Sequence, residues 1–185
     1  MWLLKVIILE LMSTFSFALN AQSNEIKSVI EVVKNFDHLS LSPFERAVCC
    51  IKYYEGIHTR KNYPYIGYGH QIQPGEKLSY NLSLKDADRL LRDDLQKMCA
   101  LFRDYGKDSL LLGTLAYNVG PYRILGNSSI PKSNLLKKIE NGSSDFISDY
   151  INFCHYKGRK IASIERRRWA ELLLFYMRKG LIMKS

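Results

Sequence analysis

The sequence lacks the cysteine spacing of a metal site. Its four cysteines, Cys49, Cys50, Cys99 and Cys154, form no C-x-x-C motif and no Cys/His ligand pattern. We therefore predict no metal site and no other cofactor. All four lie in stretches with a helical, apolar pattern, which favours small buried hydrophobic residues, although an exported chain could also pair them in disulfides.

Internal repeats and low-complexity tracts are also missing, so the 185 residues predict a single globular domain. Beyond residue 21 no apolar run approaches the roughly 18 residues that a membrane-spanning helix needs. Residues 1–21 have Lys5, a mostly apolar stretch and a small residue, Ala21, before a possible cut. This pattern predicts a signal peptide and export to the periplasm or the extracellular space; the alternative is a short membrane anchor.

Negative charge is scarce. The net charge is +9, and it stays +9 without residues 1–21, which contain one Lys and one Glu. A field of this sign attracts polyanions such as nucleic acid, anionic lipid or anionic cell-wall polymer. Export argues against nucleic acid, so we expect a wall polymer. The alternative is a basic surface that serves only solubility.

Helical patterns dominate the rest of the chain. Residues 22–40 predict a lead-in with a helix over 26–36, and residues 41–180 predict the main domain. Ser42-Pro43-Phe44-Glu45 combines a capping serine, a proline at the first helical position and a glutamate three residues after the cap. Gly56 is a stop signal, so Glu55 falls in the last turn of this helix.

A glycine-rich, tyrosine-rich stretch follows, and residues 63–80 predict a small antiparallel β-hairpin or meander. Ser83 resembles another helix cap, and an apolar stripe then continues to Tyr105. The pattern predicts further helices over 109–118, 133–140, 145–156 and 164–178. The expected fold class is α+β, a mostly helical domain with one small sheet after its first core helix.

Glu55 is the candidate acid. A carboxylate at a helix C-terminus opposes the macrodipole, and we expect Tyr53, Tyr54 and Tyr65 to shield it from water. A carboxylic acid that stays protonated is what cleavage of a glycosidic bond requires. The alternative is a solvated glutamate at a helix end, without a role in catalysis.

The segment from Tyr65 to His70 supports a sugar-binding role. Gly67 and Gly69 allow a ligand or another backbone to approach closely, and tyrosines such as Tyr68 offer flat faces and hydroxyls that suit sugars. The alternative is a tightly packed turn.

Four blocks together resemble the phage-type lysozyme family, glycoside hydrolase family 24. They are Glu55-Gly56 and the stretches 65–70, 116–120 and 166–172, which read YIGYGH, AYNVG and RRRWAEL. Their order and spacing over about 120 residues are similar to those of the family. The resemblance is greatest to the lysozyme-like proteins carried on conjugative elements of Bacteroides-type bacteria, which suggests conjugation or secretion machinery as a partner.

The resemblance implies roles for single residues. Glu55 matches the catalytic glutamate, and Tyr65 stands where the family has a catalytic-site threonine. Asn118 matches an asparagine whose amide would lie near the cleft. His70 matches a structural histidine, expected to tie the sheet to the helix that carries Glu55.

Arg167 and Glu171 match a late arginine and glutamate of the family, which we expect to be structural. One departure is important. The family has an aspartate between the glutamate and the strand, whereas no acidic residue occurs from Gly56 to Gln73. His58 and Thr59 are the candidate substitutes, because either could position a water molecule.

The expected activity is that of a monomeric muramidase, which hydrolyses the β-1,4 bond between N-acetylmuramic acid and N-acetylglucosamine in peptidoglycan. One alternative is a lytic transglycosylase, in which a single carboxylate acts as acid and then as base. The other is a cell-wall-binding component of a conjugation apparatus that has lost its catalytic activity.

Overall fold

The computed structural model describes residues 41–176, and helices account for most of this range. Helix α1 spans Pro43–Glu55, α2 Leu84–Leu101, α3 Ser109–Val119, α4 Tyr122–Leu125, α5 Asn134–Glu140, α6 Ile147–Ile151 and α7 Ala162–Glu171. Short 3-10 turns cover Arg60–Asn62 and Arg103–Asp108, and a π-helical turn follows α7 over Leu172–Tyr176. The predicted signal peptide and the predicted lead-in helix lie outside the described residues.

Two antiparallel hairpins complete the described part of the chain. Strand β1, Tyr65–Ile66, pairs with β2, His70–Gln71, and β3, His155–Tyr156, pairs with β4, Arg159–Lys160. The first hairpin lies between α1 and α2, as predicted. The mostly helical α+β class is therefore confirmed.

The prediction of a helix over residues 145–156 is wrong for the second half of that range. Helix α6 ends at Ile151, and residues 155–160 form the second hairpin. Lys157 and Gly158 both have positive φ, at 50° and 76°, and this backbone turns the chain back on itself. Tyr150 and Cys154 are both buried, so their spacing matches a helix although the chain leaves the helix between them.

Capping explains where the two helices nearest the site begin. The Ser42 side chain accepts a hydrogen bond from the Glu45 amide at 3.2 Å, and the Ser83 side chain accepts one from the Asp86 amide at 3.1 Å. Each bond satisfies an amide that has no partner within its helix. These caps fix α1 and α2 in the register that the sequence predicts.

The hydrophobic core joins α1, α2, α3 and the end of the described chain. Helices α2 and α3 pack so closely that a Cβ added at Gly113 would lie 2.6 Å from the Cys99 sulfur. Buried apolar side chains such as Ile51, Leu95 and Leu112 fill the interior. Within residues 41–176, no helix combines the length and apolar character that crossing a membrane requires.

Candidate active site

Glu55 is the last residue of α1. Gly56 caps the helix with φ of 62°, and its amide donates to the Lys52 carbonyl at 3.0 Å. A glycine adopts this left-handed backbone without the strain that a side chain would add. The helix end therefore carries Glu55 into the junction between the first hairpin and the helical core, with its side chain 19% exposed.

The closest partners of Glu55 are polar. Arg167 Nη1 donates to Glu55 Oε1 at 2.5 Å, and Asn118 Nδ2 donates to the same oxygen at 3.4 Å. The expected shield of tyrosines is only partly present, because Tyr53 is 57% exposed and Tyr65 is 41% exposed. An arginine and an amide thus hold the carboxylate where the sequence suggested aromatic rings.

Behind this pair lies a buried charge network. Glu171 accepts from Arg167 Nε at 2.9 Å, from Arg168 Nη1 at 2.5 Å and from the Tyr150 hydroxyl at 2.7 Å. Arg168 also donates to the Asn118 side-chain oxygen. Burial acts to raise the pKa of Glu171, but the charges of the two arginines outweigh it and hold this pKa below its ordinary value. The network orients both groups that contact Glu55.

Arg167 and Glu171 were assigned structural roles from the resemblance. The structure places Glu171 in the interior, with no exposed surface, in the network described above. Arg167 is also buried, yet one of its nitrogens reaches Glu55 directly. Arg167 therefore contacts both Glu55 and the buried network behind it.

The first hairpin approaches Glu55 from the other side. A Cβ added at Gly69, whose φ is 106°, would lie 3.8 Å from Glu55 Cδ and 3.8 Å from His58 Cε1. His58 Nε2 lies 3.9 Å from Glu55 Oε2. The His58 amide donates to the Gly67 carbonyl at 2.7 Å and so anchors this loop to the hairpin. A side chain at Gly69 would therefore come into van der Waals contact with both Glu55 and His58.

The other predicted site residues differ in how close they come to Glu55. The Thr59 hydroxyl bonds to the Asn62 side-chain oxygen at 3.3 Å, and the residue is exposed at the start of a 3-10 turn. The Tyr65 ring meets the His58 ring edge to face, with centroids 6.2 Å apart. Tyr68 is half-buried, and its carbonyl accepts a hydrogen bond from a tyrosine hydroxyl of α3 at 3.0 Å. Of Thr59, Tyr65 and His58, His58 is the residue whose side chain approaches Glu55 most directly, with its Nε2 3.9 Å from Glu55 Oε2.

His70 contacts a different helix from the one that the resemblance suggested. Its Nδ1 lies 2.5 Å from Asp94 Oδ2 on α2, and its Nε2 lies 2.9 Å from Glu76 Oε2. Burial acts to lower the pKa of His70, but the hydrogen bonds to Asp94 and Glu76 outweigh it and raise this pKa. His70 therefore ties the hairpin to α2, whereas the sequence suggested the helix that carries Glu55.

The sequence analysis predicted no role at the site for Asp94 or Arg168. Asp94 is an almost fully buried carboxylate within α2, and its partner His70 lies 24 residues earlier. Arg168 lies three residues before Glu171, at a spacing that puts two helix residues on one face. That spacing was the available signal for Arg168. No local pattern pointed to Asp94.

Comparison with known protein families identifies the family of this chain. The family model for phage lysozyme matches residues 52–171, well over half of the sequence, and this range includes Glu55, the first hairpin and the arginine network. The chain belongs to the phage lysozyme family.

One solved structure with the same fold is the muramidase domain of SpmX from Asticaccaulis excentricus. It aligns with a TM-score of 0.56 and 23% sequence identity, over 70% of this chain and 93% of that domain. This likeness confirms the lysozyme-like fold. None of the curated proteins matches the sequence.

Proposed function

We propose that the protein is a muramidase that cleaves the β-1,4 bond between N-acetylmuramic acid and N-acetylglucosamine in peptidoglycan. Membership of the phage lysozyme family supports a peptidoglycan-degrading hydrolase. The observation that carries the proposal is the placement of Glu55, which is held by Arg167 and Asn118 on one side and faces Gly69 on the other. Glu55 acts as the general acid.

The two oxygens of Glu55 have different roles in this proposal. Oε1 accepts both hydrogen bonds, from Arg167 and from Asn118. Oε2 faces Gly69 and His58, and no residue in the described range donates a hydrogen bond to it. Oε2 is therefore the oxygen that carries the proton and passes it to the leaving oxygen of the sugar. The bonds to Oε1 fix the direction in which this proton points.

The second step uses water. A covalent route needs a second carboxylate about 5–5.5 Å from the first. The loop from Gly56 to Gln73 contains no acidic residue, and Glu171 is fully buried beneath Arg167. We propose that His58, whose Nε2 is 3.9 Å from Glu55 Oε2, orients the attacking water and accepts its proton as the water oxygen bonds to the anomeric carbon. Tyr65 and Tyr68 then contribute contacts to the sugar, and Thr59 supports the loop.

Glu55→Gln tests the acid, because glutamine keeps the shape of the side chain and cannot donate the carboxyl proton. We expect the rate of peptidoglycan hydrolysis to fall about 100-fold or more. Glu140→Gln is the matched control, since it makes the same change at an exposed glutamate that pairs with Lys132. Equal rates for both variants would end the proposal.

Two further variants separate the loop residues. We expect His58→Ala to lower the hydrolysis rate at least 10-fold, because the water loses its nearest protein partner. Thr59→Ala should keep most of the rate, since its hydroxyl bonds to Asn62 in the same turn. The assay is release of soluble fragments from purified peptidoglycan. The opposite ranking of the two variants would move the water-orienting role to Thr59.

A lytic transglycosylase is the second candidate. It is favoured by one observation, the absence of any acidic residue in the loop between Glu55 and the first hairpin. A single carboxylate can protonate the leaving oxygen and then accept the proton of the muramic 6-hydroxyl as that oxygen attacks. Mass spectrometry of the fragments decides between the two. Reducing ends indicate hydrolysis, and 1,6-anhydro ends indicate the transglycosylase.

We also propose export, with the substrate in the periplasm or outside the cell, a monomeric enzyme, and conjugation or secretion machinery as a partner. The signal-like pattern of residues 1–21 and the net charge of +9 support export and attraction to anionic wall polymers. N-terminal sequencing of the protein recovered from the cell envelope should begin at Gln22. A chain that retains Met1 would contradict the export step.

A further inference from the structure

A groove of about 590 Å³ lies outside the candidate active site. Its lining is largely apolar and includes Pro43, Phe44, Cys99, Leu110, Phe175 and Tyr176. These residues come from the start of α1, the facing ends of α2 and α3, and the π-helical turn. Apolar surface of this extent is stabilised when another apolar element covers it.

Both ends of the described chain meet at this groove. Ser42, one residue after the first described position, lines it, and so does Tyr176, the last described residue. The segments that continue from these two positions therefore start at the groove. Residues 22–40 of the mature chain precede it, and residues 177–185 follow it.

Residues 22–40 carry an apolar pattern that fits such a groove. Ile26, Val29, Ile30, Val33 and Phe36 recur at the spacing of one face of a helix. The five residues between positions 36 and 42 can span about 3.3–3.6 Å each, which is enough to bring that face back over the groove. We propose that residues 26–36 dock in this groove as an amphipathic helix and complete the domain.

Charge favours this segment over the C-terminal one. Lys107 lies on the groove. Residues 177–185 contain three basic residues and no acidic residue, whereas residues 22–40 contain three acidic residues and two lysines. The C-terminal segment would bring like charges together at Lys107, and the N-terminal segment brings carboxylates to it.

Cys99 provides a reporter, because it lines the groove and is only partly buried. Burial raises its pKa to about 11, so alkylation is slow and its rate is sensitive to any further covering. Cys49 is partly buried and does not line the groove, so it serves as an internal control. Cys50 and Cys154 are buried and should stay unreactive while the domain is folded.

The experiment compares variants of the full mature chain by N-ethylmaleimide labelling and peptide mass spectrometry. The double variant Ile30→Asp, Val33→Asp places two charges on the apolar face and should raise the Cys99 rate at least 10-fold, with Cys49 unchanged. The double variant Ser28→Asp, Asn35→Asp places the same charges on the opposite face and should match the parent.

Three results would overturn the proposal. The first is an equal Cys99 rate in the parent and both double variants. The second is exposure of Cys99 by Leu181→Asp and not by Ile30→Asp, Val33→Asp, which would assign the groove to the C-terminal segment. The third is protection of Cys99 that depends on protein concentration, together with a dimeric mass in light scattering, which would assign it to a second copy.

A crosslink tests the same contact without disrupting it. Under mild oxidation Val33→Cys should form an intramolecular disulfide with Cys99. Asn35→Cys, on the opposite face, should leave Cys99 reduced. If both variants or neither variant crosslinks, residues 26–36 do not dock in the groove with the proposed face. This readout remains informative even where the aspartate variants unfold.

Discussion

Asp94→Asn removes the charge that faces His70 and keeps a side chain of nearly the same shape. In the native protein His70 Nδ1 lies 2.5 Å from Asp94 Oδ2, and both residues are buried. The amide oxygen of asparagine can still accept a hydrogen bond. The variant therefore loses the charge-assisted part of the interaction and leaves its geometry in place.

The magnitude follows from the difference between two kinds of hydrogen bond. A bond to a charged group contributes about 1.5–3 kcal/mol, and a neutral bond contributes about 0.5–1.5 kcal/mol. We expect Asp94→Asn to lower the free energy of unfolding by about 1–2 kcal/mol near pH 5.5. At about 2–4 °C per kcal/mol for chains of this size, Tm should fall by about 2–8 °C.

The effect should depend on pH, because the two hydrogen-bonded carboxylates raise the pKa of His70 in the folded state. A raised folded-state pKa gives stability that is fully present below the ordinary histidine value of about 6.5. That stability is lost as the pH rises through the folded-state value. The difference in the free energy of unfolding between the wild type and Asp94→Asn should therefore be smaller at pH 9 than at pH 5.5.

Thermal unfolding followed by circular dichroism at the two pH values measures both quantities. Asp93→Asn is the matched control, because Asp93 is the exposed neighbour on the same helix and should change Tm little. The reasoning is refuted if Asp94→Asn and Asp93→Asn have the same Tm at pH 5.5. It is also refuted if the loss caused by Asp94→Asn is larger at pH 9.

Two other predictions concern backbone and buried charge. Gly69→Ala and Gly75→Ala both put a side chain at positive φ, but only the first places a Cβ 3.8 Å from the proposed catalytic carboxylate. Both variants should be less stable than the wild type, and Gly69→Ala should also lower the hydrolysis rate of the folded protein. Equal hydrolysis rates for the two folded variants would contradict a contact between this position and the carboxylate. Arg168→Met should lower the free energy of unfolding by about 3–5 kcal/mol, because it leaves the buried Glu171 carboxylate with one arginine fewer. Arg166→Met, a change at a less buried neighbour, is its control, and chemical denaturation that gives equal values would refute the role of the network.

Local signals predicted the elements that carry the site. The Ser42 and Ser83 caps fixed the starts of α1 and α2, and Gly56 fixed the end of α1, because caps act through bonds between residues three or four apart. The glycine pattern likewise predicted the first hairpin. These features depend on short-range chemistry that the sequence displays directly.

The partners of the site residues depend on tertiary packing, and no spacing displays them. Arg167 lies 112 residues from Glu55, and Asn118 lies 63 residues from it. The resemblance suggested that both residues matter, but not that they share one oxygen of the carboxylate. The second hairpin was missed for a different reason. Its positive-φ turn includes Lys157, a residue type that rarely adopts this backbone.

The catalytic role of Glu55 is tested most directly by measuring cleavage and binding together for Glu55→Gln on purified peptidoglycan. We expect the variant to sediment with peptidoglycan as the wild type does, to unfold at a similar temperature and to release soluble fragments about 100-fold more slowly or not at all. Release of fragments at the wild-type rate would contradict this role, because the proton would then come from another group.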